Sequence, residues 1–150
     1  MSAEGEGLRG QAEAYTDGAS RGNPGPCAYA FIILVEGEVA SARSGYLGRC
    51  TNNEAEYSAV INALEEALSL GIRRIRVFSD SALVVNQLTG RWRIKDRRMA
   101  LLASRVREMA SRFERVEFLK VPRENPHVAA ADAMCNRVLD EVARGDYSFG

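Results

Sequence analysis

Histidine occurs once in these 150 residues, cysteine three times, and the formal charges cancel. Each shortage excludes something. One histidine and three scattered cysteines (Cys27, Cys50 and Cys135) contain no CxxC pair, so no structural zinc site is expected. An odd, widely spaced cysteine set fits a reducing, cytoplasmic setting and leaves room for one disulfide. No stretch approaches the roughly 20 apolar residues of a membrane span, so no membrane partner is expected. The first ten residues, MSAEGEGLRG, are acidic and Gly-rich, the wrong chemistry for a signal peptide. Residues 1–11 read as a flexible tail, 12–143 as one domain and 144–150 as a polar C-terminal tail. Zero net charge, taken alone, argues mildly against nucleic acid.

Against these absences stands a composition that is 46% hydrophobic and 27% charged, enough for a packed core under a solvated surface. The charge is unevenly spread. Arg91, Arg93, Lys95, Arg97 and Arg98 crowd one short run against the single acid Asp96. Such a run is usually a solvated helix start. Trp92 inside it raises a nucleic-acid reading, because an indole can stack on bases or sugars.

The apolar pattern predicts three strands first: Glu13–Thr16, Tyr29–Val35 and Val39–Tyr46, an antiparallel meander with a Gly/Pro-rich turn from Gly18 to Pro26. Thr51-Asn52-Asn53-Glu54 is a capping box, and Tyr57, Val60, Ile61, Leu64 and Leu68 follow at helical spacing up to Gly71. Then come a strand at Arg74–Ser79, helices at Ser81–Leu88 and Arg97–Phe113, a strand at Val116–Val121 and a helix at Val128–Val142. The order β-β-β-α-β-α-α-β-α makes an α/β fold. Right-handed crossovers add two parallel strands to the three antiparallel ones, giving a five-stranded mixed sheet with helices on both faces. Ligands gather beyond the carboxyl ends of strands where the connection switches direction, here the first and fourth. The next residues are Asp17 and Asp80.

Alone, Asp17 would read as a turn residue before Gly18 and Asp80 as a helix N-cap. The first helix offers Glu54 and Glu56. Glu54 belongs to the capping box on a polar face. Glu56 lies one turn before Val60, at the rim of the apolar stripe, where a carboxylate must be paired, protonated or bound to a cation. Glu56 is therefore the functional candidate. On the last helix Asp132 falls four residues after Val128 and three before Cys135, on the apolar stripe; an acid near a helix N-terminus also suits the macrodipole. Four acids gathered at one sheet end repel one another unless cations neutralise them. Oxygen ligands without His or Cys suit Mg²⁺ or Mn²⁺, and two such ions can activate water and stabilise a leaving oxygen.

These residues stand in motifs whose order resembles the type 1 ribonuclease H family. Tyr15 to Pro26 carries DG-x(3)-GNPG, Arg49 to Tyr57 carries TNN-x-x-E, and Ser79-Asp80-Ser81 and Ala131 to Val138 follow, together covering roughly residues 12–143. The resemblance implies a ribonuclease H-like fold and an endonuclease that hydrolyses the RNA strand of RNA–DNA hybrids by a two-metal-ion mechanism, leaving 5′-phosphate and 3′-hydroxyl ends. It carries catalysis and metal binding onto Asp17, Glu56, Asp80 and Asp132. It makes Asn23, Asn52 and Asn53 contacts to the hybrid, and Arg49 and Thr51 a grip on a DNA phosphate. Simple helix-start polarity remains the alternative for one of Asn52 and Asn53. A 2′-hydroxyl is both donor and acceptor, so amides can test for it.

Two departures stand out. Gly90 to Met99 is too short for the basic protrusion of many members, as in compact archaeal and some bacterial forms; Arg91, Trp92, Arg93, Lys95 and Arg98 are left to replace its grip in part. Members often place a mobile His before the last acid. Here His127 stands five residues before Asp132, closer than usual, and a lone loop His is most often a surface residue; Arg123 or Glu124 are the alternatives. The chain is expected to act alone as a monomer. The other readings are a nuclease of this fold with a different or broader substrate, such as double-stranded RNA, and a non-catalytic nucleic-acid-binding module.

Overall fold

A computed structural model describes residues 11–149. Nine elements run in the order expected: β1 (Ala12–Ser20), β2 (Gly25–Val35), β3 (Glu38–Cys50), α1 (Asn52–Ser69), β4 (Arg74–Ser79), α2 (Ala82–Leu88), α3 (Arg97–Ala110), β5 (Arg115–Lys120) and α4 (Pro126–Arg144). The strands form one sheet in the order β3-β2-β1-β4-β5. β1, β2 and β3 pair antiparallel, whereas β4 lies parallel to β1, and β5 to β4.

β1 corrects the sequence reading. It does not end at Thr16 but continues through Asp17 to Ser20, still paired with β2 as far as Ser20↔Cys27. The Asp-Gly pair therefore lies within the ladder, and the turn is confined to residues 21–24, where the Arg21 amide donates to the Pro26 carbonyl at 2.9 Å. The pairing of β1 with β4 stops earlier, at Tyr15↔Phe78. Beyond that point the pairing ends, and there Asp17 lies on β1 and Asp80 follows β4.

α1 shows why one helix can sit so close to the sheet. Ala55, Ala59, Ala63 and Ala67 recur every four residues and are all fully buried. Of these, Ala63 and Ala67, together with Tyr57, Val60 and Leu64, pack in one core with Ala12 and Ala14 of β1 and with Phe31 and Ile33 of β2. Residues four apart stand above one another on a helix, so the four alanines form a continuous shallow face. Met99, Ala103, Val106 and Met109 of α3 close the same core from outside. The opposite face of the sheet belongs to α4, whose Ala131, Cys135, Val138 and Leu139 pack on Ala28 and Ala30, while Val128 meets Tyr15, Ile32 and Leu34.

One buried polar contact is built into the α1 side: the Tyr57 hydroxyl donates to Gln87 Oε1 at 2.7 Å. Tyr57→Phe leaves that amide oxygen buried without its donor, at a cost of about 1–3 kcal/mol. Urea unfolding should show a lower midpoint with an unchanged m-value.

α4 begins earlier than the pattern suggested. Asn125 is its N-cap, accepting from the His127 and Val128 amides, and Pro126 fills the first turn. His127 is accordingly a helical residue, not a loop residue. Its ring packs on Tyr15 with centroids 4.6 Å apart, and Tyr15 stacks on Phe78 at 4.8 Å. At the other end Gly145 (φ 76°) closes the helix in the left-handed region that glycine adopts without steric cost. The segment read as a polar C-terminal tail brings Tyr147 against Tyr46, whose backbone amide donates to the Tyr147 hydroxyl at 3.0 Å. Of the expected N-terminal tail, residues 1–10 lie outside the described residues; the Gln11 carbonyl accepts from the Glu36 amide. Cys27 and Cys50 form a disulfide joining β2 to β3, and Cys135 is a buried free thiol. Among the described residues no helix is long and apolar enough to cross a membrane.

Candidate active site

The site begins with a glycine. Gly18 lies so close to the first turn of α1 that a β-carbon there would stand 2.2 Å from the Ala55 carbonyl carbon and oxygen and 2.5 Å from the Glu56 nitrogen. Only the absence of a side chain lets strand and helix touch. At this contact the Gly18 amide donates to Glu56 Oε1 at 3.1 Å. The capping box below it is complete: Thr51 Oγ1 accepts from the Glu54 amide, and Glu54 Oε1 accepts from the Thr51 amide. Glu54 is thus consumed by the cap, and Glu56 faces the sheet, as helix geometry required.

Asp80 follows β4. The N-cap role that competes for it is taken by Ser81, whose hydroxyl accepts from the Val84 amide. The Asp80 carboxylate is free for other work, with the Arg123 guanidinium 3.7 Å away. Asp17, Glu56 and Asp80 each bring a carboxylate oxygen to within 4.8 Å of the others. Asp17 and Glu56 are buried, 5% and 7% exposed, and Asp17 Oδ2 is a buried oxygen without a hydrogen-bond partner in the protein.

Asp132 corrects a detail of the sequence reading. It is exposed, not on the buried stripe of α4. The helix is rotated so that Ala131 and Cys135 face the sheet, which leaves Asp132 at the rim beside the cluster. Its influence still reaches the site. The Asp17 carboxyl is pushed up to about 8, first by burial, then by repulsion from Asp132 and Asp80 and a hydrogen bond to Asp132 that favours the protonated form. Glu56 is raised well above the usual carboxylate range by burial and by the Asp17 and Asp80 charges, with the Gly18 amide and Arg123 opposing. Burial and the neighbouring acids likewise push the Cys135 thiol up, so it stays protonated; it donates to the Asp17 carbonyl at 3.4 Å. Cys135 is a packing and bracing residue, not a nucleophile.

Physically, this cluster carries more negative charge than its burial tolerates. Protons or a cation must neutralise it. The all-oxygen donor set and the partnerless Asp17 Oδ2 fit a hard divalent cation.

The substrate candidates gather at the start of α1. Asn23 Oδ1 accepts from the Asn52 amide at 2.9 Å, so the β1–β2 turn and the helix start are tied together. Asn52, Asn53 and Arg49 are exposed around Thr51. Trp92, about half exposed, and Arg93 lie in the loop between α2 and α3. His127 is committed to the Tyr15 face and does not join the acid cluster. Gly18 and Cys135 were missed as site residues. An Asp-Gly pair and a lone apolar thiol carry no signal until the strand and the two helices are placed around them.

Comparison with known proteins agrees with this arrangement. Residues 15–138 match the reverse transcriptase-like family. The ribonuclease HI of Halobacterium salinarum is 41% identical over 134 residues, covering 89% of this chain and 66% of that protein. A bifunctional protein of Mycobacterium tuberculosis is 37% identical over 130 residues, 85% of this chain and 35% of its own length. The chain thus spans under two thirds of these relatives. The Halobacterium salinarum RNase H1 crystal structure superposes with a TM-score of 0.85, covering 88% of this chain and 99% of that one. The LC11 RNase H1, solved in complex with an RNA/DNA hybrid, gives 0.83 at 33% identity, covering 88% and 99%. With the same five-stranded sheet, the motif order and the acid cluster where the β1–β4 pairing ends, the chain belongs to the ribonuclease H family.

Proposed function

We propose that this chain is an endonuclease that hydrolyses the RNA strand of RNA–DNA hybrids, leaving 5′-phosphate and 3′-hydroxyl ends. The observation that carries the reading is the trio Asp17, Glu56 and Asp80, within 4.8 Å of one another and mostly buried, with Asp17 Oδ2 unpartnered. A pure binding surface gains nothing from carboxylates that repel one another and the nucleic acid.

Asp17, Glu56, Asp80 and Asp132 would hold two Mg²⁺ or Mn²⁺ ions with substrate bound. When bound, the ions supply the charge that lets the acids ionise, favour hydroxide over water as nucleophile and stabilise the leaving oxygen. The chain's own groups do the rest. The Gly18 amide holds Glu56 in one orientation. Arg123, close to Asp80, offers positive charge to a departing phosphate. The Thr51 hydroxyl accepts from the Glu54 amide and still has its own proton to donate. With Arg49 and the dipole of α1 it forms a grip for a DNA phosphate. Asn23, Asn52 and Asn53 test for 2′-hydroxyls, and Trp92 and Arg93 extend the contact. The proposal extends to action as a monomer in the cytoplasm.

The test is cleavage of end-labelled hybrid, RNA duplex and DNA duplex in Mg²⁺, in Mn²⁺ and in EDTA. The expected result is cutting of the hybrid's RNA strand alone, abolished by EDTA. Comparable cutting of duplex RNA would replace the hybrid preference with a broader one. Hybrid binding without turnover in either metal would make the chain a binding module.

A further inference from the structure

Of the four acids, Asp132 is the one that burial does not hold. Asp17 and Glu56 are buried, whereas Asp132 is exposed on α4, where hydrogen-bond partners rather than packing set its rotamer. One helical turn later, Asn136 Nδ2 donates to Asp132 Oδ2 at 3.4 Å. An amide side chain can turn either its oxygen or its nitrogen toward a neighbour. Arg21, in the β1–β2 turn, decides between them. Its Nη2 lies 3.4 Å from Asn136 Oδ1 and 3.3 Å from the Asn136 carbonyl oxygen. A guanidinium only donates, so the amide oxygen must face Arg21 and the amide nitrogen must face Asp132. Asp140, a further turn along α4, holds the same Nη2 at 2.7 Å.

We propose that Arg21 and Asn136 are positioning residues for Asp132, an inference that rests on reading Asp132 as a catalytic acid. The Arg21 turn also carries Asn23, bound to the Asn52 amide at the start of α1. One turn thus links the end of the helix that meets substrate to the acid on the opposite side of the sheet. The Asn136 contacts are long and all of these groups are solvent-exposed, so they add little to stability. Their effect falls on orientation, where a displacement of roughly 1 Å can cost about a hundredfold in rate.

The test compares Asn136→Ala, Arg21→Ala and the double variant with the wild type. Loss of a partner that orients a metal ligand typically costs about 10-fold to 100-fold in activity or metal affinity. The expected result is a kcat at the low end of that loss, with KM for hybrid and melting temperature unchanged. Mn²⁺ affinity, titrated calorimetrically without nucleic acid, should fall in parallel. The double variant should be no worse than Asn136→Ala alone, and Arg21→Lys, which keeps a donor-only partner for the amide oxygen, should recover part of the loss. A raised KM with kcat unchanged would overturn the proposal, since Arg21 would then be gripping nucleic acid. Unchanged kcat and unchanged Mn²⁺ affinity would overturn it too. Three-bond couplings reporting the Asp132 χ1 angle separate this proposal from the functional one. A single Asp132 rotamer retained in Asn136→Ala overturns the positioning role even if the wild type cleaves hybrid. Rotamer averaging in the variant supports the role even if the wild type proves inactive.

Discussion

Asp17→Asn should abolish cleavage and, at the same time, make the metal-free protein harder to unfold. The two effects have one cause. Asp17 is buried beside Asp132 and Asp80, and its carboxyl titrates at about 8, against 3.8 when unperturbed. Below the unperturbed value both folded and unfolded chains hold the proton, and the difference contributes nothing to stability. As pH rises from there toward 8, the unfolded chain releases the proton that the folded chain keeps, so stability falls steadily. Above 8 the loss is complete and flat. At neutral pH the penalty is on the order of a few kcal/mol. Asparagine keeps the shape and ionises in neither state, so the penalty disappears. Its melting temperature without metal should exceed the wild type's by roughly 10 °C at pH 7, since each kcal/mol moves a domain of this size by roughly 2–4 °C. The gap should close toward pH 4 and widen toward pH 8. Activity should fall by about a thousandfold or more, the scale for losing one member of a group that acts as a unit. Mg²⁺ should raise the wild-type melting temperature by binding the folded state alone, and raise the variant's less. A variant that melts lower than wild type at pH 7, or that still cuts hybrid, would contradict this account.

The second large effect is expected at Gly18→Ala. A single added carbon meets the backbone of Ala55 at 2.2 Å and the Glu56 nitrogen at 2.5 Å, and backbone cannot rotate away as a side chain can. α1 and β1 must part. Overpacking of this kind typically costs about 1–3 kcal/mol. The catalytic loss should be larger than the stability loss suggests. The Gly18 amide is what holds Glu56, and moving it by roughly 1 Å removes about a hundredfold of rate. Circular dichroism should show a folded protein with a lowered melting point. Single-turnover cleavage should show a chemical step slowed by about that hundredfold, with hybrid binding nearly intact. Wild-type rates in a folded Gly18→Ala protein would mean that Glu56 does not depend on this contact.

Much of this site could be read from the chain because helix geometry is local. The choice of Glu56 over Glu54 needed only a capping box and a stripe, and the structure repeats both. The placement of Asp80 needed only a strand followed by a helix. What depended on distant partners was less legible. The extension of β1 past Asp17 rests on β2 offering Cys27 to Ala30 as a continued ladder, which no window around Asp17 reveals. Asp132 read as a member of the apolar stripe, and only the docking of α4 decided that it would be exposed. Three cysteines allow three pairings, and the β2–β3 ladder selects Cys27 with Cys50. His127 looked like a loop residue because the Asn-Pro pair before it, a turn signal in isolation, is here the cap and first residue of a helix.

The four alanines of α1 carry a consequence for how this protein can vary. They bind nothing and have no chemistry, so any inventory of reactive groups passes over them. Yet as buried residues with the smallest side chains they let the helix lie close to the sheet, and across that close approach the Gly18 amide reaches Glu56. Substitutions at Ala59 or Ala63, one and two turns from the acid, should alter the reaction without touching any reacting atom. A lineage could detune the site there by one methylene at a time while every acid stayed in place.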